Sequence, residues 1–125
     1  MAKEYNTYRE RQEMVNSFGK TLGKRASIRC EWCDGTDDLR VWDYLPNAEP
    51  TMETLALLCG ACRDLAEGKK GEEKRLHSLR NALWSDIRAV SEGAARVLAR
   101  SRVPWVREAI EESLIEEKLK QELLG

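Results

Sequence analysis

The chain has 125 residues, 42% of them hydrophobic and 34% charged, with a formal net charge of −1. This balance excludes a disordered chain and predicts one soluble domain over residues 1–125 with a modest core. Its apolar runs, such as Leu55 to Cys59, are too short to cross a membrane.

Charge is segregated along the chain. Residues 1–29 carry a net +4, residues 30–66 a net −6, residues 67–107 a net +5 and residues 108–125 a net −4. Basic and acidic segments are expected to pair with each other or to face solvent. The first residues, Met1 to Asn6, are polar and lack the apolar stretch of a secretory signal, so a cytoplasmic protein is expected.

Three parts follow in chain order. The first, residues 1–27, contains a weakly amphipathic helix over about 4–24, with Tyr8, Met14, Val15, Phe18 and Leu22 as its apolar stripe. Gly19 and Gly23 weaken its second half, each by about 1 kcal/mol relative to Ala. The second part, residues 28–66, opens on Cys30-Glu31-Trp32-Cys33 and closes on Cys59-Gly60-Ala61-Cys62. Between them, Asp34 to Asp38 is turn chemistry, and Gly35 is expected at positive φ so that backbone N–H groups point at sulfur. Leu39 to Leu45 alternates and reads as a strand. Leu39, Val41, Asp43 and Leu45 share one face; Arg40, Trp42 and Tyr44 share the other. Pro46 to Pro50 forms a loop, Thr54 to Leu58 brings the chain back, and a short helix begins at Asp64.

The third part, residues 67–125, reads as helical. A helix over 73–84 buries Leu76, Leu79, Leu83 and Trp84. Ser85-Asp86 caps the next, which turns Ile87, Val90, Ala94, Val97 and Leu98 inward. Pro104 suits the first turn of a final helix with Val106, Ile110, Leu114, Leu119 and Leu123 inward and a Glu116/Lys120 pair outside. Trp84 and Trp105 both suit a core. The fold class is therefore α+β, mostly α: a small four-cysteine hairpin, of zinc-ribbon or treble-clef type, packed against several helices.

The cysteines carry the strongest chemical signal. A two-residue gap lets two thiolates grip one ion from a tight turn, and two such turns fill a tetrahedral shell. One Zn²⁺ held by Cys30, Cys33, Cys59 and Cys62 is predicted, and a full set of protein ligands makes such a site structural. Two disulfides or four free thiols are the alternatives, and iron uses the same ligands. Trp32, inside the first turn, either covers the metal or offers a partner an aromatic anchor. Arg88, Arg96 and Arg100 are candidate contacts to nucleic acid or to a partner protein, against the reading of a solvated basic face. An acidic metal module is not a surface for phosphates, so a protein partner is favoured, with nucleic acid the alternative.

The layout resembles that of the HNH nucleases, which also carry Cys-x-x-Cys, a strand, a proline and a returning Cys-x-x-Cys before a helix. Their strand and helix supply histidines as base and metal ligands. Here those places hold Val41-Trp42-Asp43-Tyr44 and Arg63, and the one histidine, His77, lies well downstream as a surface or half-buried packing residue. A resemblance of wider extent, over about residues 24–100, is to the N-terminal zinc-ribbon domain of the PhnA family. It rests on Cys30-Glu31-x-Cys33, Asp38-Leu39-x-Val41, Leu57-Leu58-Cys59-x-x-Cys62, Leu79 and Trp84-Ser85-Asp86-Ile87 with Ala89-Val90. It implies a bacterial zinc-binding protein, with the four cysteines as ligands and no catalytic residue. The expected function is a non-enzymatic adaptor, with nucleic-acid binding through the basic helices or a degenerate nuclease as alternatives.

Overall fold

Two short strands, β1 (Arg40–Asp43) and β2 (Leu55–Leu58), pair antiparallel with Arg40 opposite Leu58 and Asp43 opposite Leu55. The computed structural model describes the backbone of residues 2–125 and the side chains of residues 8–125. Met1 to Asn6, the residues read against a secretory signal, thus lie outside the described side chains. Around the hairpin run α1 (Ala2–Ser17), α2 (Gly19–Arg25), α3 (Gly60–Ala66), α4 (Glu73–Ala82), α5 (Arg88–Arg100), α6 (Val106–Glu112) and α7 (Glu117–Leu124). The fold is α+β and mostly helical, as expected. Among the described residues, no helix is long and apolar enough to cross a membrane.

Strand alternation sorts the hairpin into two faces. Val41, Leu55 and Leu57 pack with Val15, Phe18 and Leu22 of the N-terminal helices. Trp42, Tyr44, Ala56 and Leu58 pack with α5 and the other C-terminal helices. Because β2 is covered on both sides, its run Leu-Ala-Leu-Leu is uniformly apolar and buried. Leu45 departs from the expected pattern: the strand ends at Asp43, and Leu45 packs toward the C-terminal helices.

The central C-terminal helix is α5. Its residues Ala89, Val90, Gly93, Ala94, Ala95, Val97 and Leu98 are buried. Small residues let it lie close against two indole rings. A Cβ added at Gly93 would stand 2.8 Å from Trp42 and 3.0 Å from Trp32. Gly93→Val is therefore expected to cost about 2–3 kcal/mol, because overpacking outweighs the small gain in helix propensity. Chemical denaturation of the variant measures this, and an unchanged midpoint would refute the close approach.

Several elements differ from the sequence reading. The first helix breaks at Phe18, and Tyr8 and Met14 are exposed, because Val15, Phe18 and Leu22 alone share the buried face. Helix α3 starts at Gly60, not Asp64, because the second cysteine turn itself opens the helix with Arg63 N–H donating to Cys59 O. Trp84 is 51% exposed, since α4 ends at Ala82 and the chain turns away. The expected Ser85-Asp86 cap is not formed: Ile87 is the N-cap of α5, without a side-chain cap, and Ser85 only accepts from Ile87 N–H at 3.0 Å in the turn before it. Trp105 is half-buried and stacks with His77 at 4.8 Å, which leaves His77 on the surface.

The final helix starts at Val106, beyond Pro104, and is split at Ser113, whose hydroxyl and N–H both donate to Ile110 O. The break shifts the register, so Leu114 is exposed and Ile115 is buried in its place. Lys120 then reaches Glu111 O and Glu117 instead of Glu116. Opposite charges from different segments do meet: Arg11 with Asp43, Arg25 with Glu31 and Arg96 with Glu122; Arg63 and Asp38 pair within the acidic segment.

Candidate metal centre

The first cysteine turn closes on itself. Cys30 N–H donates to Gly35 O at 2.7 Å, and Asp34 N–H donates to Cys30 O at 2.9 Å. Trp32 N–H points at Cys30 Sγ and Gly35 N–H at Cys33 Sγ, each at 3.4 Å. The positive φ expected of Gly35 falls instead on Asp34, at 64°. Asp is among the residues that tolerate this conformation. Gly35 is needed for space, since a Cβ there would lie 3.2 Å from Cys33 Sγ.

The second turn leads from β2 into α3, and Gly60 N–H donates to Asp37 O at 3.3 Å, which ties the two turns together. All four sulfurs lie within 4.8 Å of one another, and Cys33 and Cys59 are 3.5 Å apart. A tetrahedral ion with metal–sulfur bonds of about 2.3 Å needs sulfurs about 3.8 Å apart, so this cluster fits a metal ion. The cysteines are unbridged, and their spacing is far beyond a disulfide bond. Cys30, Cys59 and Cys62 are buried and Cys33 is half-buried.

The thiols perturb one another. A hydrogen bond from Cys62 holds the Cys30 thiol down to about 5 against the opposing effect of burial. Donation to Cys30, together with burial, pushes Cys62 up. Burial also raises Cys33. Without metal, one thiolate is thus stabilised in the cluster, and a metal ion must displace the remaining protons.

Arg75 escaped the sequence reading. From α4 it sets Nη1 3.1 Å from Cys33 Sγ, 3.7 Å from Cys59 Sγ and 3.9 Å from Cys62 Sγ. A divalent ion with four thiolates carries two net negative charges, and the guanidinium offsets one of them. Arg75→Leu is expected to weaken metal affinity about 10–100-fold, the usual cost of losing an outer partner of a ligand. Competition with a chromophoric chelator reads this; equal retention by both proteins would show the contact to be idle.

Glu31 was also missed. It is bound by Arg25 through two hydrogen bonds, of 2.7 and 2.9 Å, and accepts from Leu57 N–H at 2.8 Å. Trp32 is only 4% exposed; its Nε1–H donates to Val90 O at 3.1 Å and its ring leans on Trp42. It covers the inner side of the first turn and is not exposed as an anchor.

The three candidate contact arginines are all engaged within the chain. Arg88 bonds Glu92, and Arg96 Nε–H donates to the Tyr44 hydroxyl at 2.8 Å. That hydroxyl donates in turn to Glu92 at 3.0 Å. Arg100 donates to Leu65 O and Ala66 O at the end of α3. Arg63, next after Cys62, binds Asp38 at 2.7 Å and holds that carboxyl below its ordinary range. No family model matches the chain, and neither a curated protein nor a solved structure matches it.

Proposed function

We propose that the four cysteines hold one structural Zn²⁺ ion in a non-enzymatic adaptor of PhnA-like type that works in the cytoplasm and contacts a protein partner. The convergence of four unbridged sulfurs carries this reading. An ion with four protein sulfurs has no open position for water or substrate. Thiols that stay unbridged suit a reducing compartment. The acidic charge of residues 30–66 disfavours phosphates at the metal itself.

Metal analysis of freshly isolated protein tests it, with one zinc per chain and no colour expected. A red protein holding iron, or metal-free folded protein, overturns the assignment. The nuclease reading predicts plasmid cutting with Mg²⁺ or Mn²⁺ that His77→Ala abolishes. The packing of His77 on Trp105 argues against that outcome. A partner recovered from native cells and lost on Cys59→Ser would support the adaptor role.

A further inference from the structure

A cleft of about 550 Å³ opens between the Gly68–Gly71 loop and the C-terminal end of α5. Its floor is apolar, formed by Leu65, Leu76 and Val97. Its rim carries Lys69, Lys70, Arg100 and Arg102, and no carboxylate side chain lines it among the described residues. The loop is shaped to leave this space. Gly68 takes φ +92°, and a Cβ on Gly71 would come within 2.5 Å of Leu65.

The four cations differ in what already holds them. Lys69 sits 3.4 Å from Asp64 and 3.7 Å from Glu67. Arg100 spends one nitrogen on Leu65 O and Ala66 O. That contact offsets the negative end of α3, which would otherwise repel an anion. Lys70 and Arg102 are exposed, and among the described residues neither side chain has an ion-pair or hydrogen-bond partner. Like charges gathered at one rim repel, and an anion seated between them relieves that repulsion.

We propose that this cleft binds a nucleotide, free or within a single strand, with its phosphate on Lys70, Arg100 and Arg102 and its base or sugar on the apolar floor. The volume lies within the range of small-ligand sites. Guanidinium and ammonium groups together suit phosphate oxygens. The site differs from the face of Arg88 and Arg96, which the Tyr44–Glu92 network holds. It does not depend on the metal reading, and metal content measured on the same samples keeps the two separable.

Fluorescence anisotropy with a labelled 12-nucleotide thymidine strand, and calorimetry with ATP, test the proposal. Binding of either probe at 50 mM salt is expected. Three phosphate contacts from a strand lower its affinity about 20-fold between 50 and 200 mM salt. Lys70→Glu and Arg102→Glu should each weaken binding at least 10-fold, while Arg88→Glu leaves it unchanged. Lys70→Gln serves where charge reversal disturbs the fold, as judged by circular dichroism. Strand binding without ATP binding identifies a polymer as the source, and ATP binding identifies the free nucleotide. The proposal falls if neither probe binds, if the rim variants bind like the parent, or if polyglutamate competes as well as either probe.

Discussion

Removal of the metal ion by a strong chelator is expected to unfold residues 28–66 and to release the helices that pack on them. Apparent zinc binding in such sites is on the order of 10–16 kcal/mol, as large as the whole stability of a typical domain. Strand pairing by itself does not hold this segment. Its sheet has two strands of four residues, which do not stand alone in water. The turns that lead into it are organised around sulfur, and Cys30 and Cys62 are fully buried. Far-ultraviolet circular dichroism and the fluorescence of Trp32 and Trp42 would report the collapse. Unchanged spectra in a chelator, with the metal shown to be gone, would refute it.

Acid works in the same direction. Protons compete with the ion for the four thiolates, so metal release and unfolding are expected as pH falls.

The second large effect is expected at Glu31. Its side chain is 8% exposed and pairs with Arg25, itself 19% exposed. Glu31→Ala leaves Leu57 N–H without its acceptor and the Arg25 guanidinium, which keeps Met52 O and Leu55 O, without its counter-charge. Breaking a buried pair in this way costs about 3–5 kcal/mol. Replacing Arg25 and Glu31 together by apolar residues should cost much less, since no charge is then stranded. Urea denaturation of the single and double variants separates these cases. A loss under 1 kcal/mol in Glu31→Ala would show that water reaches Arg25 freely.

What could be read from the sequence was local. The cysteine gaps define each turn within four residues, and the alternation of Leu39 to Tyr44 defines two faces without knowledge of the rest. The missed features depend on approach in space. Arg75 is thirteen residues beyond Cys62 and reaches the sulfurs only because α4 folds back across them. Trp84 missed its expected burial for a similar reason, while Trp32 took the covering place that was one of its two readings. Aromatic character favours burial at both, but α4 ends short of Trp84, while Gly93 opens room beside Trp32. That glycine in a helix of small buried residues was the available signal for close packing. The breaks at Phe18 and Ser113 reflect local competition: Gly19 disfavours continuation, and the Ser113 hydroxyl takes up a carbonyl that a continuous helix would use.

The outer edge of β2 has a bearing on how copies of the protein behave when crowded. Both backbone groups of Leu57 on that side are taken by Glu31, and Leu55 O is taken by Arg25. A stray strand thus finds no row of open donors and acceptors to zip onto there. The turn that grips sulfur also serves as a stopper against fibril-like growth along that border.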